Sequence, residues 1–281
     1  IEKNTLLKSI AKLQSIVEKR NTIPILSNVK LDATAGQLNL TVTDMDIVAS
    51  QQVEANVNLE GTLTVPALTL YDIVRKLPEG LKVNLEADGE SSRLVVTAGS
   101  SRFNLSYLPA DEFPEMSEGD LTNTFKLSSE KFNKLIEKTK FAMSNEETRY
   151  YLNGVYLHVL GNTLKAIATD GHRLASVDLE VPEGANGMPG IIIPRKAVNE
   201  IGKLLENQEE ITISLSESKI KFSAEKVELL SKVVDGTFPD YQRVIPENNN
   251  KSLSIPTEIL KSAVDRVSTI AADKTKAIKF A

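Results

Sequence analysis

Much of the chain alternates apolar and polar residues. Leu38, Leu40 and Val42; Val53, Ala55, Val57 and Leu59; Val83 and Leu85; Phe103, Leu105 and Tyr107; Val155, Leu157 and Val159; Val177, Leu179 and Val181; Ile211, Ile213 and Leu215; and Ile220 with Phe222 each fall on every second position. A period of two puts such side chains on one face of a β-strand. Short polar joints at Ala35-Gly36, Asp88-Gly89 and Gly161-Asn162 predict hairpin turns. Antiparallel sheet therefore dominates. Five stretches, roughly 4–18, 67–77, 129–141, 195–205 and 257–268, switch to the helical period. Leu6, Ile10, Leu13 and Val17 share one face; Phe132, Leu135, Ile136 and Thr139 share another, as do Leu260, Ala263, Val264 and Val267. Ser128 or Ser129 offers an N-cap, and Pro66 and Pro194 stand where a strand hands over to a helix.

The chain also repeats itself. Val42-Thr43-Asp44-Met45-Asp46-Ile47-Val48-Ala49-Ser50 aligns with Ala168-Thr169-Asp170-Gly171-His172-Arg173-Leu174-Ala175-Ser176 at an offset of 126. Ser27-Asn28-Val29-Lys30-Leu31 matches the stretch Leu152-Asn153-Gly154-Val155-Tyr156-Leu157 at about the same spacing, Val65-Pro66 matches Ile193-Pro194, and Phe113-Pro114 matches Phe238-Pro239. Four anchors in one order mark a tandem duplication. A third copy opens at Leu253-Ser254-Ile255-Pro256, which echoes Phe125-Lys126-Leu127-Ser128, and covers about its first quarter. The expected domains are 1–119, 120–247 and an incomplete 248–281. The chain thus reads as part of a longer protein, with which the lack of an initiator Met agrees. Each copy holds two helices on a sheet system, an α+β plan.

Composition narrows the chemistry. At 281 residues the chain exceeds one domain of about 100–200 residues. No apolar run nears the roughly 18 residues of a membrane span, so a soluble protein without membrane contact is expected. Zero Cys excludes disulfides, thiolate nucleophiles and zinc–cysteine sites and fits a reducing cytoplasm. His158 and His172 are the two histidines, and neither a glycine-rich phosphate loop nor an HExxH helix is present. No metal or cofactor is expected. A net charge of -5 argues at first against nucleic acid, but the helical segments carry thirteen basic residues against seven acidic ones. Lys8 and Lys12 lie opposite the apolar face of the first helix. Lys134 and Lys138 hold the same positions 126 residues later, and Arg266 holds that of Lys12 in the third copy. A recurring basic position suits a phosphate-facing surface, and an ordinary solvated helix face explains it equally.

Thr169-Asp170-Gly171-His172-Arg173-Leu174-Ala175, Arg149-Tyr150-Tyr151-Leu152-Asn153-Gly154, Ile23-Pro24-Ile25-Leu26-Ser27-Asn28 and Val234-Asp235-Gly236-Thr237-Phe238-Pro239-Asp240-Tyr241 together resemble the bacterial DNA polymerase III beta subunits, the sliding clamps. The resemblance spans the whole chain. It implies tandem copies of a DNA-clamp domain, with antiparallel sheets outside and two helices per domain lining a central channel. It further implies a non-catalytic processivity factor that is a homodimer when full length and encircles double-stranded DNA without sequence preference. Short linear motifs of the DNA polymerase III alpha subunit, the clamp loader and repair polymerases would dock in a hydrophobic cleft. A basic lining without base readout lets such a ring move.

Carried over residue by residue, that cleft falls on Leu152, Thr169, Gly171, His172, Arg173, Leu174, Pro239, Arg243 and Val244, with its other half in the remainder of the third domain. DNA contacts fall on Arg20, Tyr150 and Tyr151. Glu146 departs from the amide of the family pattern. Competing readings stand beside these: Leu152, Leu174, Pro239 and one of the tyrosines as plain core, a carboxylate hydrolase built on Asp44, Asp46 and Asp170, or a repeat scaffold with no nucleic-acid role. Asp170-Gly171-His172 reads more simply as a turn held by local hydrogen bonds.

Overall fold

The computed structural model describes residues 1–18, 22–206, 208–271 and 278–280. The first repeat consists of α1 (Lys3–Leu13), β1 (Asn28–Thr34), β2 (Gln37–Thr43), β3 (Ile47–Glu54), β4 (Gly61–Pro66), α2 (Ala67–Lys76), β5 (Asn84–Asp88), β6 (Arg93–Ala98) and β7 (Ser101–Ser106). The second runs through β8 (Asn123–Ser128), α3 (Ser129–Glu137), β9 (Gly154–Leu160), β10 (Thr163–Thr169), β11 (Leu174–Glu180), β12 (Ile191–Pro194), α4 (Arg195–Leu204), β13 (Glu210–Leu215), β14 (Lys219–Ala224) and β15 (Val227–Lys232). Among the described residues no helix is long and apolar enough to cross a membrane.

All five expected helices form, two of them shorter than their apolar period. α1 stops at Leu13, although Ile16 and Val17 stay buried in the turn that follows, so burial outlasts the helix. α3 stops at Glu137 because the buried Thr139 hydroxyl donates to the Leu135 carbonyl at 2.6 Å, turning the chain into a 3-10 turn over Lys140–Ala142. Ser128 is the N-cap, its hydroxyl accepting from the Lys131 amide at 3.4 Å. The alternation over 53–59 does not continue as strand. β3 loses its neighbours after Glu54, and Leu59 is exposed. Conversely, β6 and β12 escape the alternation test, since Leu94, Val95 and Val96, like Ile191, Ile192 and Ile193, are buried on both faces.

The duplication holds strand by strand. β1 pairs with β2 and β4 as β9 pairs with β10 and β12, and Asn28↔Pro66 matches Gly154↔Pro194. The hairpins β5–β6–β7 and β13–β14–β15 start at residues spaced by 126. Three antiparallel sheets are described, in the orders β4-β1-β2-β3-β15-β14-β13-β8, β11-β10-β9-β12 and β5-β6-β7. The first crosses from one repeat to the other through the β3–β15 pair, where Leu229 faces Ala49 and Ser231 faces Ile47. Lys226–Glu54 (3.2 Å) and Lys232–Asp46 (2.9 Å) bracket the seam. On the helical side α2, α1, α4 and α3 form a packed row, and one apolar core runs through both repeats.

The chain divides into two compact units, Ile1–Phe238 and Pro239–Ala281. The second holds a 3-10 turn (Tyr241–Val244) and α5 (Thr257–Ser268), which follows Pro256. Residues 251–256 form no strand there, whereas β8, their counterpart, has β13 to pair with. Along α5, Leu260, Ala263 and Val264 are half-buried and Val267 is exposed.

Gly154 sits where the β9–β12 pair closes on the preceding turn. A Cβ there would lie 2.2 Å from the Ile193 carbonyl oxygen. Gly154→Ala is expected to destabilise the protein by about 1–3 kcal/mol through overpacking, measured as a lowered urea midpoint.

Candidate functional site: a turn, its neighbours and the basic helices

The turn between β10 and β11 is built by its own side chains. Asp170 Oδ1 accepts from the amides of His172 (2.9 Å) and Arg173 (3.0 Å), Thr169 Oγ1 donates to the Arg173 carbonyl at 2.7 Å, and the Gly171 amide donates to Thr169 Oγ1 at 3.1 Å. The first repeat makes the same four bonds with Thr43, Asp44, Met45, Asp46 and Ile47. Gly171 takes φ +88° where Met45 takes +77°, so glycine relieves here a strain the other turn carries. The second oxygen of Asp44 meets Lys196, that of Asp170 meets Arg173 Nε at 3.0 Å, and Asp46 meets Lys232. All three carboxylates of the hydrolase reading are thus engaged in turns and seams. Among the described residues no group of three His, Cys, Asp or Glu is placed to hold a metal.

The 3-10 segment Glu147–Leu152 packs beside this turn. Arg149 lies over Gly171, whose Cβ would come within 2.5 Å of Nη1, and Arg173 sits 5.6 Å from the ring centre of the exposed Phe141. Gly171, His172 and Arg173 are exposed, Thr169 and Leu174 half-buried, and Leu152 is buried. Six of the nine expected cleft residues therefore lie on or beside one turn. Pro239, Arg243 and Val244 belong to the second unit, where all three are exposed and Arg243 pairs with Asp240 at 2.7 Å. Arg149 and Phe141 had no assigned role in the sequence. Arg149 stood inside the quoted motif, and Phe141 ended a predicted helix whose last turn is in fact 3-10.

The lysines of the helices differ in ways their spacing conceals. Lys8, Lys134 and Lys138 are exposed. Lys12, the repeat partner of Lys138, is half-buried and donates to the Leu204 carbonyl at the C-terminus of α4 (3.2 Å), where a cation meets the negative end of the helix. Lys196 and Lys203 face Asp44 and Glu200, and Arg195 Nη2 donates to the Met143 and Ser144 carbonyls at 2.7 Å. Lys12, Arg195 and Lys196 therefore join elements together, while Lys203 pairs within α4. Tyr150 is exposed and meets the half-buried Tyr151 edge to face at 5.8 Å. Arg266, in the second unit, donates to Ser262 at 2.8 Å. Arg20 lies outside the described residues.

Known proteins share both the sequence and this arrangement. The DNA polymerase III beta subunit N-terminal domain matches residues 1–117 and the central domain of that subunit matches 126–240. The beta sliding clamp of Caulobacter vibrioides is 48% identical over 286 residues, covering 100% of this chain and 77% of the relative. The DnaN sliding clamp of Bartonella birtlesii, solved bound to griselimycin, superposes with a TM-score of 0.93 at 48% identity, over 98% of this chain and 74% of that one. A Caulobacter crescentus clamp solved with polyethylene glycol gives 0.95 at 47%, with the same coverage. This likeness over nearly the whole chain, to relatives built on the same duplicated α+β plan, defines a DNA clamp, a non-catalytic accessory of a replicative polymerase. The chain belongs to the bacterial DNA polymerase III beta subunit family, the processivity clamps of DNA replication.

Burial alone would push the Asp170 pKa up, but the amides of His172 and Arg173 and the Arg173 guanidinium outweigh it and hold the carboxyl below the usual range. The stabilisation is therefore present above about pH 4 and lost as pH falls through the lower folded value. Asp170→Asn is expected to cost about 1 kcal/mol at neutral pH, with wild type and variant converging in acid, as urea unfolding at both pH values will measure.

Proposed function

We propose that the chain contributes to a head-to-tail homodimeric ring that encircles duplex DNA, in domains 1–119, 120–247 and 248 onward. The observation that carries this reading is the β3–β15 seam. β7 occupies in the first repeat the place of β15, and β11 occupies in the second the place of β3, each at the edge of its sheet. The interface that fuses the two repeats is thus offered again at both ends of the pair. An interface repeated head to tail makes a ring when its rotation closes.

On this reading the row of helices faces the duplex. Exposed Lys8, Lys134 and Lys138 attract phosphate, with Lys12, Tyr150 and Tyr151 along the same lining; the family resemblance adds Arg20 and the repeat adds Arg266 as DNA contacts. The surface beside the Thr169–Leu174 turn takes short linear motifs of the polymerase alpha subunit, the clamp loader and repair polymerases, the same role that the family resemblance gives to Pro239, Arg243 and Val244. A relative that binds griselimycin supports a ligand site on this family. The protein acts in the bacterial cytoplasm, where its DNA lies.

Lys134→Glu combined with Lys138→Glu is expected to reduce loading of the full-length protein on circular DNA without changing its dimerisation. Retention on closed circles and its loss on linearisation, followed by gel filtration, check the encirclement; equal loss from both forms would refute it. Leu174→Asp should weaken a polymerase-motif peptide about tenfold or more with the fold intact, since a charge replaces a half-buried apolar contact, and calorimetry measures it.

A further inference from the structure

The two repeats carry opposite charge at one corresponding position. Glu146 stands 126 residues after Arg20, so a cation in the first repeat is replaced by a carboxylate in the second. That carboxylate grips Arg149 with both oxygens: Nε donates to Oε2 at 2.8 Å and Nη2 to Oε1 at 2.7 Å. A bidentate carboxylate offers a guanidinium the pair of acceptors that a phosphate would. The Glu146 backbone is anchored, its amide donating to Ser144 Oγ at 3.1 Å and its carbonyl accepting from Asn153 Nδ2 at 3.0 Å. Arg149 adopts a non-helical backbone (φ -112°, ψ 50°) inside the 3-10 segment, rests on Gly171, and keeps a third of its side chain exposed. Tyr150 follows immediately.

We propose that Glu146 is an internal substitute for a DNA phosphate: it occupies Arg149 and so withholds a cation beside Tyr150 and Tyr151 from the duplex. This rests on the reading that the Tyr150–Tyr151 segment faces DNA. The Arg149 hydrogen bond holds the Glu146 carboxyl below its usual range despite the nearby Asp170, with His172 acting in the same direction, so the mask stays charged at neutral pH. A moving clamp gains from this weaker grip, because each extra phosphate contact adds to the salt-dependent affinity for the backbone.

The test compares wild type, Glu146→Gln, Glu146→Ala, Arg149→Gln and the Glu146→Gln/Arg149→Gln double variant of the full-length protein. Binding to a short duplex oligonucleotide is read by fluorescence anisotropy across a salt series, and thermal melting confirms that each variant is folded. Both Glu146 variants are expected to bind several-fold tighter, with a log affinity against log salt slope steeper by about one. Arg149→Gln alone should bind no tighter than wild type, since it frees a carboxylate and no cation, and the double variant should lose the gain. A gain that survives Arg149→Gln overturns the proposal, since it then reflects the lost negative charge alone; so does no gain in either Glu146 variant. The Lys134→Glu/Lys138→Glu protein in the same assay tests the underlying reading: unchanged affinity there removes the DNA-facing assignment, whatever Glu146 does.

Discussion

The pairing of β15 with β3 is the contact on which the rest of the first unit depends. A strand edge presents a row of unpaired amides and carbonyls, and each repeat on its own would leave such an edge open. Joining them makes one sheet of eight strands out of two copies of a motif. The same junction brings the end of α1 against α4. Lys12 then reaches the Leu204 carbonyl and Lys196 reaches Asp44, so the helical layer is locked by the register of the sheet.

Equivalent positions keep a geometry while changing its chemistry. In the first repeat the Lys30 ammonium sits 5.8 Å from the centre of the Phe113 ring. The corresponding Tyr156 in the second repeat stacks on Phe238 at 4.8 Å, nearly parallel, and His158 stacks on its other side at 4.6 Å. A cation over a ring and a ring over a ring both cover an aromatic face, and either secures the Phe-Pro segment to the sheet. The two Thr-Asp turns, by contrast, keep both chemistry and geometry. Their Asp accepts two amides at the start of a strand, a task few other side chains perform.

Charge follows a similar logic. An anionic chain with a cationic helical layer reconciles its overall sign with a role on DNA, yet the layer is less cationic than its composition implies. Lys12, Arg195 and Lys196 satisfy carbonyls and a carboxylate on neighbouring elements, whereas Lys8, Lys134 and Lys138 stay exposed. Glu146 and Arg149 carry this furthest, since they cancel one another on the segment that leads to the tyrosines.

Periodicity and repetition are local properties of a chain, and they determined a great deal: the α+β class, all five helices, most one-sided strands, the duplication at a nearly constant offset, and the Asp170 turn as a turn. Where burial came from both sides, as at Val95 or Ile192, no alternation remained to be read, and the strand was legible only once its neighbours were in place. The ends of α1 and α3 depended on turns in which Ile16 and Thr139 are buried by other elements. Above all, the partner of a charge is not a local property. Lys12 and Lys138 are indistinguishable by spacing, yet one meets a carbonyl 192 residues away and the other meets solvent. Only the tertiary structure decided that difference, because hydrogen-bond geometry acts through space across a seam that no sequence pattern describes.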